Sequence, residues 1–285
     1  MTVLDPNARP NSVPQKRRRS HRVDLSYRTL AIITGCVLAF LYVPIATLMV
    51  FSFSSNKVMR LPLGDWTFDW YVKAFSNPQL IAAVGNSVIV AFSALAICIA
   101  IGVPTAIALS RYDFPGKDIF RRLVILPITL PGIVTGVSML SFFSQFGVDL
   151  SLVTVVIGHG TAFTAIVITS VFARLQRFDR RIVEASADLG ATPLQTFWRV
   201  TLPNIRTSII GSSLLVFTLS FDEIPVTFFL TGRDNTLPMY IWSAIRRGIT
   251  PEINAIGTVI IVVSIVLIVA SIIFMTEPAE KARQR

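Results

Sequence analysis

The sequence has few charged residues for its length. Only 15% of its 285 residues are Asp, Glu, Lys or Arg, whereas about 25% is usual in a soluble domain. Hydrophobic residues make up 53% of the chain, and the mean hydropathy is +0.65. This composition excludes a soluble enzyme, a disordered protein and a nucleic-acid-binding protein. We therefore predict an integral membrane protein that has no nucleic-acid partner.

Residue types that build catalytic and metal sites are also scarce. The two cysteines, Cys36 and Cys98, both lie in apolar stretches and support neither a disulfide framework nor a thiolate metal site. The two histidines, His21 and His159, are far apart in the sequence. The sequence contains no Gly-x-x-x-x-Gly-Lys phosphate loop, no His-Glu-x-x-His metal motif and no Gly-x-Ser-x-Gly nucleophile motif. It therefore predicts no catalytic residue and no metal site, which indicates a chain that is not an enzyme.

Long uncharged runs predict the membrane spans. About 20 apolar residues cross a bilayer as a helix, and six runs meet this length, so we predict an all-α integral membrane protein with six transmembrane helices. The second run is long enough for two spans. Because it opens on Asn77-Pro78-Gln79, a polar helix-start signal, we predict one helix from about residue 80 to about residue 109. The six runs cover residues 29–56, 74–110, 123–148, 150–173, 207–232 (interrupted by Asp222 and Glu223) and 253–276.

The distribution of Lys and Arg predicts the orientation of the chain. The two tails and the segments that follow the second and fourth spans together hold 20 of the 26 basic residues. Since basic residues are enriched in cytoplasmic segments, both termini are predicted to be cytoplasmic. We interpret residues 1–27 as a cytoplasmic tail that touches membrane lipid, residues 28–276 as the transmembrane domain and residues 277–285 as a second cytoplasmic tail.

The longest cytoplasmic segment, residues 174–206, has the pattern of two short helices. A helix-compatible run from 180 to 189 is interrupted by Gly190, and Thr192-Pro193 can start a second helix with Thr192 as its N-cap. The apolar residues that follow recur at helical spacing up to Val200. An amphipathic element of this kind binds either a lipid surface or the groove of a partner protein, and the spacing alone does not favour one over the other.

Asp222 and Glu223 form a pair of adjacent carboxylates in the fifth run, roughly 20 Å from the inner surface at 1.5 Å per residue. Carboxylates at this depth are costly unless they face water or a cation. Adjacent helical residues point about 100° apart, so one can face a solute while the other pairs with an arginine or caps a helix broken at Pro225. A purely structural pair is the alternative, but a cationic solute needs such acceptors, and we favour that interpretation. We interpret His159 as hydrogen-bonded within the helix bundle.

Residues 184–203 read EASADLGATPLQTFWRVTLP and resemble the EAA loop of ABC importer permeases. That loop has the pattern Glu-Ala-Ala, three residues, Gly, nine residues, a branched apolar residue, one residue and Leu-Pro. Ser186 replaces the second Ala, and Val200 stands where Ile is usual. The resemblance favours a protein partner over lipid for this segment. The residues that it implies in coupling to an ATPase are Glu184, Ala185, Ser186, Asp188, Gly190, Val200, Leu202 and Pro203.

Two further motifs resemble the spermidine/putrescine branch of these permeases. They are Ser220-Phe221-Asp222-Glu223 and Leu237-Pro238-Met239, and the resemblance extends over most of residues 80–275. It implies a six-transmembrane-helix type I ABC importer permease fold and a polyamine or related amino-bearing solute. The branch also includes permeases for opines and aminophosphonates, so the solute stays open.

The resemblance further implies a multi-subunit importer in the bacterial inner membrane. Its other parts would be a second permease subunit of different but homologous sequence, two cytoplasmic ATPase subunits and an extracytoplasmic solute-binding protein. ATP and Mg would be bound by the ATPase subunits, and this chain would bind no cofactor.

In this scheme the EAA loop transmits closure of the ATPase dimer to the membrane helices. Glu184 would offer its carboxylate to a partner arginine, Gly190 would allow a sharp bend, and Leu202-Pro203 would end the helix.

The alternative function is a secondary transporter that uses Asp222 and Glu223 with an ion gradient, but such folds usually contain internal repeats, and none is found here. Carboxylates and an indole face bind ammonium groups, and the predicted solute-pathway residues are Phe221, Asp222, Glu223 and Trp242.

Overall fold

The structure is a computed structural model that describes residues 21–57, 60–179, 181–248 and 251–266. These residues are helical apart from short connections and one isolated antiparallel bridge between Ser54 and Trp66. The predicted all-α class is confirmed. The helices in chain order are α1 (His21–Phe51), α2 (Asp69–Phe75), α3 (Pro78–Arg111), α4 (Lys117–Thr129), α5 (Gly132–Gln145), α6 (Leu152–Gln176), α7 (Arg181–Asp188), α8 (Pro193–Thr196), α9 (Leu202–Phe221), α10 (Pro225–Leu230), α11 (Leu237–Arg247) and α12 (Pro251–Val266).

Four helical segments are long and apolar enough to cross a membrane, and α4 with α5 forms a bent pair that can make a fifth span. The four are Tyr27–Phe51 of α1, α3, α6 and the continuous segment Pro193–Phe221. The shorter apolar α12 begins the predicted sixth span, whose remainder lies outside the described residues, as do residues 1–20 and the C-terminal tail. The helix α1 begins at His21, and its membrane-spanning part begins at Tyr27.

The start of α3 follows the predicted signal. Asn77 Oδ1 accepts hydrogen bonds from the backbone N–H groups of Gln79 (3.0 Å) and Leu80 (3.3 Å), and Pro78 occupies the first helical position. A capping asparagine followed by proline satisfies the free N–H groups of a helix start. The helix then runs to Arg111 without interruption, so the prediction of a single helix in the second run is confirmed.

The core of the protein is formed by α3, α6 and α9, which pack against one another. The buried face of α3 carries small residues at every third or fourth position. Small side chains let membrane helices approach closely, so that van der Waals contacts and hydrogen bonds hold the bundle together. This packing fixes the positions of α6 and α9, which carry the candidate site. The small residues of α3 are Ala83, Ser87, Ala91, Ala94, Cys98, Gly102 and Ala106.

The third run, 123–148, is sharply bent and does not form one straight helix. α4 and α5 meet at an angle of 103° across Leu130-Pro131. Leu130 has the extended conformation φ −77°, ψ 141°, since a residue that precedes proline is sterically disfavoured in the helical region. α4 begins at Lys117, in the segment predicted as a cytoplasmic turn. The apolar run therefore bends where the proline prevents continuation, and α5 packs against α10.

The fifth run also departs from the prediction at both of its ends. The helix begins at Pro193 and not near residue 207, and it reaches Phe221 as one 29-residue segment. It stops at Asp222, and the short α10 resumes at Pro225. Asp222 and Glu223 therefore lie in a short non-helical break, residues 222–224, between α9 and α10.

Candidate functional site

The predicted coupling segment contains a left-handed turn at Gly190. The Gly190 N–H donates to the Ala187 carbonyl (2.8 Å) and the Ala191 N–H to the Ser186 carbonyl (3.1 Å), which is the bond pair of a Schellman motif. Gly190 has φ +79°, a conformation that costs a residue with a Cβ roughly 1–2 kcal/mol. A Cβ at this position would meet no atom within 4 Å. Glycine is therefore required by the backbone and not by packing, and the predicted interruption at Gly190 is confirmed.

The second short helix of the segment starts where the sequence predicts. The Gln195 N–H donates to Thr192 Oγ1 (3.3 Å), and the Thr192 N–H donates to Gln195 Oε1 (2.9 Å). This reciprocal pair is a capping box, with Pro193 in the first helical position. α7 therefore ends at the Gly190 turn, and α8 begins at its own cap on the other side of the bend.

A hydrogen bond between two hydroxyls crosses this bend. Ser186 Oγ on α7 and Thr196 Oγ1 on α8 are 3.0 Å apart, and Thr196 is buried. Ser186 is the residue at which the sequence departs from the Ala of the EAA pattern. The departure therefore supplies the side chain that ties the two helices together.

Replacing Ser186 with alanine is expected to loosen the bend. The loss of one hydroxyl–hydroxyl bond costs about 1 kcal/mol and leaves the buried Thr196 hydroxyl without that partner, so protease cleavage at the bend should accelerate about fivefold. Ser186→Thr keeps the hydroxyl and serves as the control. In a double-mutant cycle with Thr196→Val, the two losses should be less than additive. Strictly additive losses would show that this hydrogen bond does not hold the bend.

Leu202-Pro203 does not end a helix, in contrast to the prediction. Residues Phe197–Thr201 form a π-helical turn, and Pro203 lies in the first turn of α9. Proline is tolerated in a first turn because its missing N–H is not needed there. The Asn204 side-chain amide donates to the Val200 carbonyl at 2.7 Å. The segment is therefore continuous with the fifth membrane helix.

Two arginines bond the N-terminal end of α9 to the neighbouring helices α3 and α6. Arg111 at the end of α3 donates to Thr201 Oγ1 (3.0 Å), and Arg174 in the last turn of α6 donates to the Asn204 carbonyl (2.9 Å). Their positions at helix ends indicated only membrane orientation in the sequence, so their role as anchors was missed. Both contacts place the ends of α3 and α6 on the same side of the bundle as the coupling segment.

The coupling segment presents an apolar face to its surroundings. The exposed fractions are 89% for Leu189, 67% for Leu194 and 59% for Trp198. The predicted residues Glu184, Ala185 and Asp188 on α7 are exposed, whereas Ser186, Val200 and Leu202 are half-buried. Apolar side chains surrounded by polar ones are typical of a surface that docks into a partner's groove.

Glu223 caps the helix that follows the break. Its carboxylate accepts hydrogen bonds from the backbone N–H groups of Val226 (2.9 Å) and Thr227 (2.9 Å) and from the Thr227 hydroxyl (3.2 Å). A carboxylate at a helix start satisfies free N–H groups and interacts favourably with the helix dipole. One carboxylate of the pair was predicted to cap a helix broken at Pro225, and in the structure Glu223 does so.

His159 lies on α6 and is fully buried. Its Nδ1 is 2.8 Å from Ser220 Oγ, and its Nε2 is 2.9 Å from Thr227 Oγ1 and 3.5 Å from Glu223 Oε2. The interpretation of a histidine hydrogen-bonded within the bundle is confirmed. Among the described residues, no group of three or more His, Cys, Asp or Glu side chains is placed to hold a metal ion.

Asp222 differs from its neighbour in that its side chain is exposed. Its backbone N–H ends α9 by donating to the Thr218 carbonyl (3.2 Å). Within the described part of the chain, its carboxylate has no hydrogen bond or ion pair to another residue. Of the two acids, Asp222 is therefore the one whose oxygens are available to a solute.

The two aromatic residues predicted for the pathway lie in different surroundings. Phe221 stacks on Phe217 (ring centroids 6.0 Å apart, 26° between planes), and Phe217 contacts Phe92 (5.0 Å). Trp242 lies on α11 with 44% of its surface exposed. Phe221 packs in the same apolar cluster as Tyr240 and Ile241 of α11, the helix that carries Trp242.

Residues 98–277 match the protein family described as binding-protein-dependent transport system inner membrane component. The putrescine transport system permease protein PotI of Escherichia coli K12 is 36% identical over 255 residues, which are 86% of this chain and 90% of that protein. The spermidine/putrescine transport system permease protein PotC of Haemophilus influenzae is 36% identical over 236 residues, which are 82% of this chain and 91% of that protein.

Solved structures resemble the fold at lower sequence identity. A chain of a bacterial ABC transporter that imports the acidic polysaccharide alginate superposes with a TM-score of 0.68 at 16% identity, over 89% of this chain and 97% of that one. A chain of the MetNI methionine ABC transporter superposes with a TM-score of 0.56 at 18% identity, over 68% of this chain and 92% of that one. At these identities the likeness concerns the fold alone.

Proposed function

Since the chain belongs to the binding-protein-dependent transport system inner membrane component family, and is thus a permease subunit of an ABC importer and not an enzyme, we propose that it carries polyamines across the bacterial inner membrane. The observation that supports this solute most directly is the Asp222 carboxylate, which is exposed, has no partner within the described part of the chain, and directly follows Phe221 in the sequence. A protonated amine gains a charge-assisted hydrogen bond from a carboxylate and a cation–π contact from an aromatic face. The two relatives that are 36% identical to this chain are permeases for putrescine and for spermidine/putrescine.

We propose that Asp222 and Phe221 contact the solute, while Glu223 holds the adjacent backbone. Glu223 uses its oxygens on the N–H groups of Val226 and Thr227, so it contributes negative potential without a free acceptor. Trp242 would contact the solute on the outer side, before the solute reaches the break.

The coupling partners in this proposal are two cytoplasmic ATPase subunits that hold ATP and Mg. The exposed apolar residues Leu189 and Leu194 would enter the groove of an ATPase subunit, with Glu184 available to a partner arginine. Gly190 provides the bend that presents them. A homologous second permease subunit would complete the pathway, and an extracytoplasmic binding protein would deliver the solute.

Both termini are proposed to be cytoplasmic. The excess of basic residues in the tails and in the segments after α3 and α6 supports this orientation. The contacts of Arg111 and Arg174 with the start of α9 support it further, because they gather these segments on one side. The ion-gradient-driven alternative is not retained, since ABC importers are driven by ATP.

The proposal is tested by purifying the chain with the subunits encoded beside it and reconstituting the complex in lipid vesicles. ATPase activity and uptake of labelled solute would be measured with binding protein that is empty, loaded with putrescine or loaded with spermidine. Stimulation by the polyamine-loaded protein together with uptake is the expected result. Stimulation by a different solute alone would contradict the polyamine proposal and leave the importer assignment intact.

A further inference from the structure

The break between α9 and α10 is crossed by a buried side chain that neither coupling nor solute contact uses. His159 on α6 bonds to Ser220, two residues before Asp222, and to Thr227, five residues after it. The backbone at residues 222–224 does not form a continuous helix. The imidazole therefore links the two helices at a point where their own backbone hydrogen bonds do not.

The surroundings of His159 fit this bridging role. A Cβ on the neighbouring Gly158 would lie 2.6 Å from Leu230 Cδ1 and 2.9 Å from Val226 Cγ1. Such distances are far inside van der Waals contact, so a larger residue here would have to displace the side chains of Leu230 and Val226, and glycine allows the close packing of α10 on α6. The close approach brings Thr227 within reach of the ring.

The same hydrogen-bond network also holds the carboxylate of Glu223, the residue that follows Asp222. Glu223 Oε2 lies 3.5 Å from His159 Nε2 and also accepts from the Thr227 N–H at 2.9 Å. The direction of the Asp222 side chain depends on the backbone of residues 221–223, since no contact of its own fixes it within the described chain. A side chain that holds the end of α9 and the start of α10 in place therefore also determines the direction of the Asp222 side chain.

We propose that His159 is a positioning residue for the solute site: by bonding Ser220 before the break and Thr227 after it, the residue sets the angle between α9 and α10 and thereby the direction in which Asp222 is presented. This inference rests on the proposed function, because it concerns the same site. His159 does not itself contact the solute. It acts through the backbone that carries Asp222.

Two substitutions of His159 distinguish a side chain that bonds both Ser220 and Thr227 from one that bonds only one of them. The amide of His159→Asn reaches only the position of Nδ1, next to Ser220, while that of His159→Gln reaches the position of Nε2, next to Thr227. Ser220→Ala and Thr227→Val each remove one partner of the ring and leave the imidazole in place, so the test stays usable if the His159 variants do not assemble. Thr227→Val also removes the hydroxyl bond to Glu223, whereas Ser220→Ala leaves the Glu223 contacts intact. Thr258→Val is the matched control, because the buried Thr258 hydroxyl bonds to the Asn254 carbonyl of its own helix (2.8 Å).

The measurement is the uptake of labelled putrescine and labelled spermidine by the reconstituted complex, with each rate divided by the basal ATPase rate of the same preparation. If His159 aims Asp222, both His159 variants should change the ratio of the two uptake rates at least threefold, and Ser220→Ala and Thr227→Val should change it in the same direction. Thr258→Val should leave the ratio unchanged. A loss of both rates in proportion, with the ratio constant, would mean that His159 is structural only.

Two further outcomes would also overturn the inference. If His159→Gln alone restores the wild-type ratio, the bond to Thr227 suffices and bridging across the break is not needed. If Asp222→Asn changes the ratio while no variant of His159, Ser220 or Thr227 does, the solute site stands and the positioning role falls. If Asp222→Asn has no effect in the same assay, the proposed solute site itself is wrong.

Discussion

Asp222→Asn should lower polyamine uptake about 10- to 100-fold, which corresponds to the roughly 1.5–3 kcal/mol of a hydrogen bond to a charged group. The side chain is exposed at the helix break and has no partner among the described residues, so the substitution removes the proposed solute contact without removing a structural one. The amount of assembled complex and its thermal stability should stay near the wild-type values. Uptake by vesicles, normalised to complex content, measures the effect.

Glu223→Gln is the informative comparison, because Glu223 is assigned a structural role and Asp222 a role in solute contact. Its oxygens hold the start of α10 through Val226 and Thr227, and the glutamine NH₂ cannot accept from either N–H group. We expect the yield and the melting temperature of the complex to fall, with uptake falling in proportion. If Asp222→Asn lowered stability and Glu223→Gln lowered uptake alone, the two roles would have to be exchanged.

Gly190→Val should uncouple ATP hydrolysis from transport, with the number of polyamine molecules imported per ATP falling about tenfold. A β-branched residue is strongly disfavoured at a positive φ, and Gly190 is held at φ +79° with no atom within 4 Å of a Cβ. The strain therefore acts on the bend alone, and the angle between α7 and α8 must change to relieve it. The measurement is the ratio of uptake to ATPase rate at saturating loaded binding protein.

Gly116→Val provides a matched control for backbone strain. Gly116 has φ +86°, also with open space around a Cβ, but it lies at the start of α4, outside the coupling segment. Its substitution should lower stability and leave the transport ratio unchanged. Gly190→Asn should be milder than Gly190→Val, because asparagine tolerates the left-handed region. Equal uncoupling by Gly116→Val and Gly190→Val would show that general destabilisation, and not the bend, is responsible.

The sequence predicted helix starts well where the signal was local. Asn77-Pro78 and Thr192-Pro193 both act as predicted, because a cap bonds backbone groups within three residues of itself. Prolines were less informative. Pro131 follows a sharp bend, whereas Pro104 and Pro203 lie within helices. Whether a helix continues past a proline depends on neighbours that satisfy the freed carbonyls, and such neighbours are distant in sequence.

The carboxylate pair shows the same limit at the site. Adjacent positions on a helix indicated that the two acids point in different directions, but they did not indicate which acid faces inward. That assignment depends on His159, which is 61 residues before the bonded Ser220. The coupling segment was recognised through its resemblance to the EAA loop, whose motif residues lie within one short stretch of sequence. The hydroxyl pair of Ser186 and Thr196 was not, because it requires the angle between two helices to be known.

The continuity of residues 193–221 makes this segment a lever. Its 29 residues form a rod about 43 Å long at 1.5 Å per residue, so a tilt of 10° about one end displaces the other end by about 7 Å. One end carries the exposed apolar residues Leu194 and Trp198, and the other end leads into Asp222. A small push from the ATPase side would therefore become a movement as large as a small amine at the far end, with no intervening loop to absorb it.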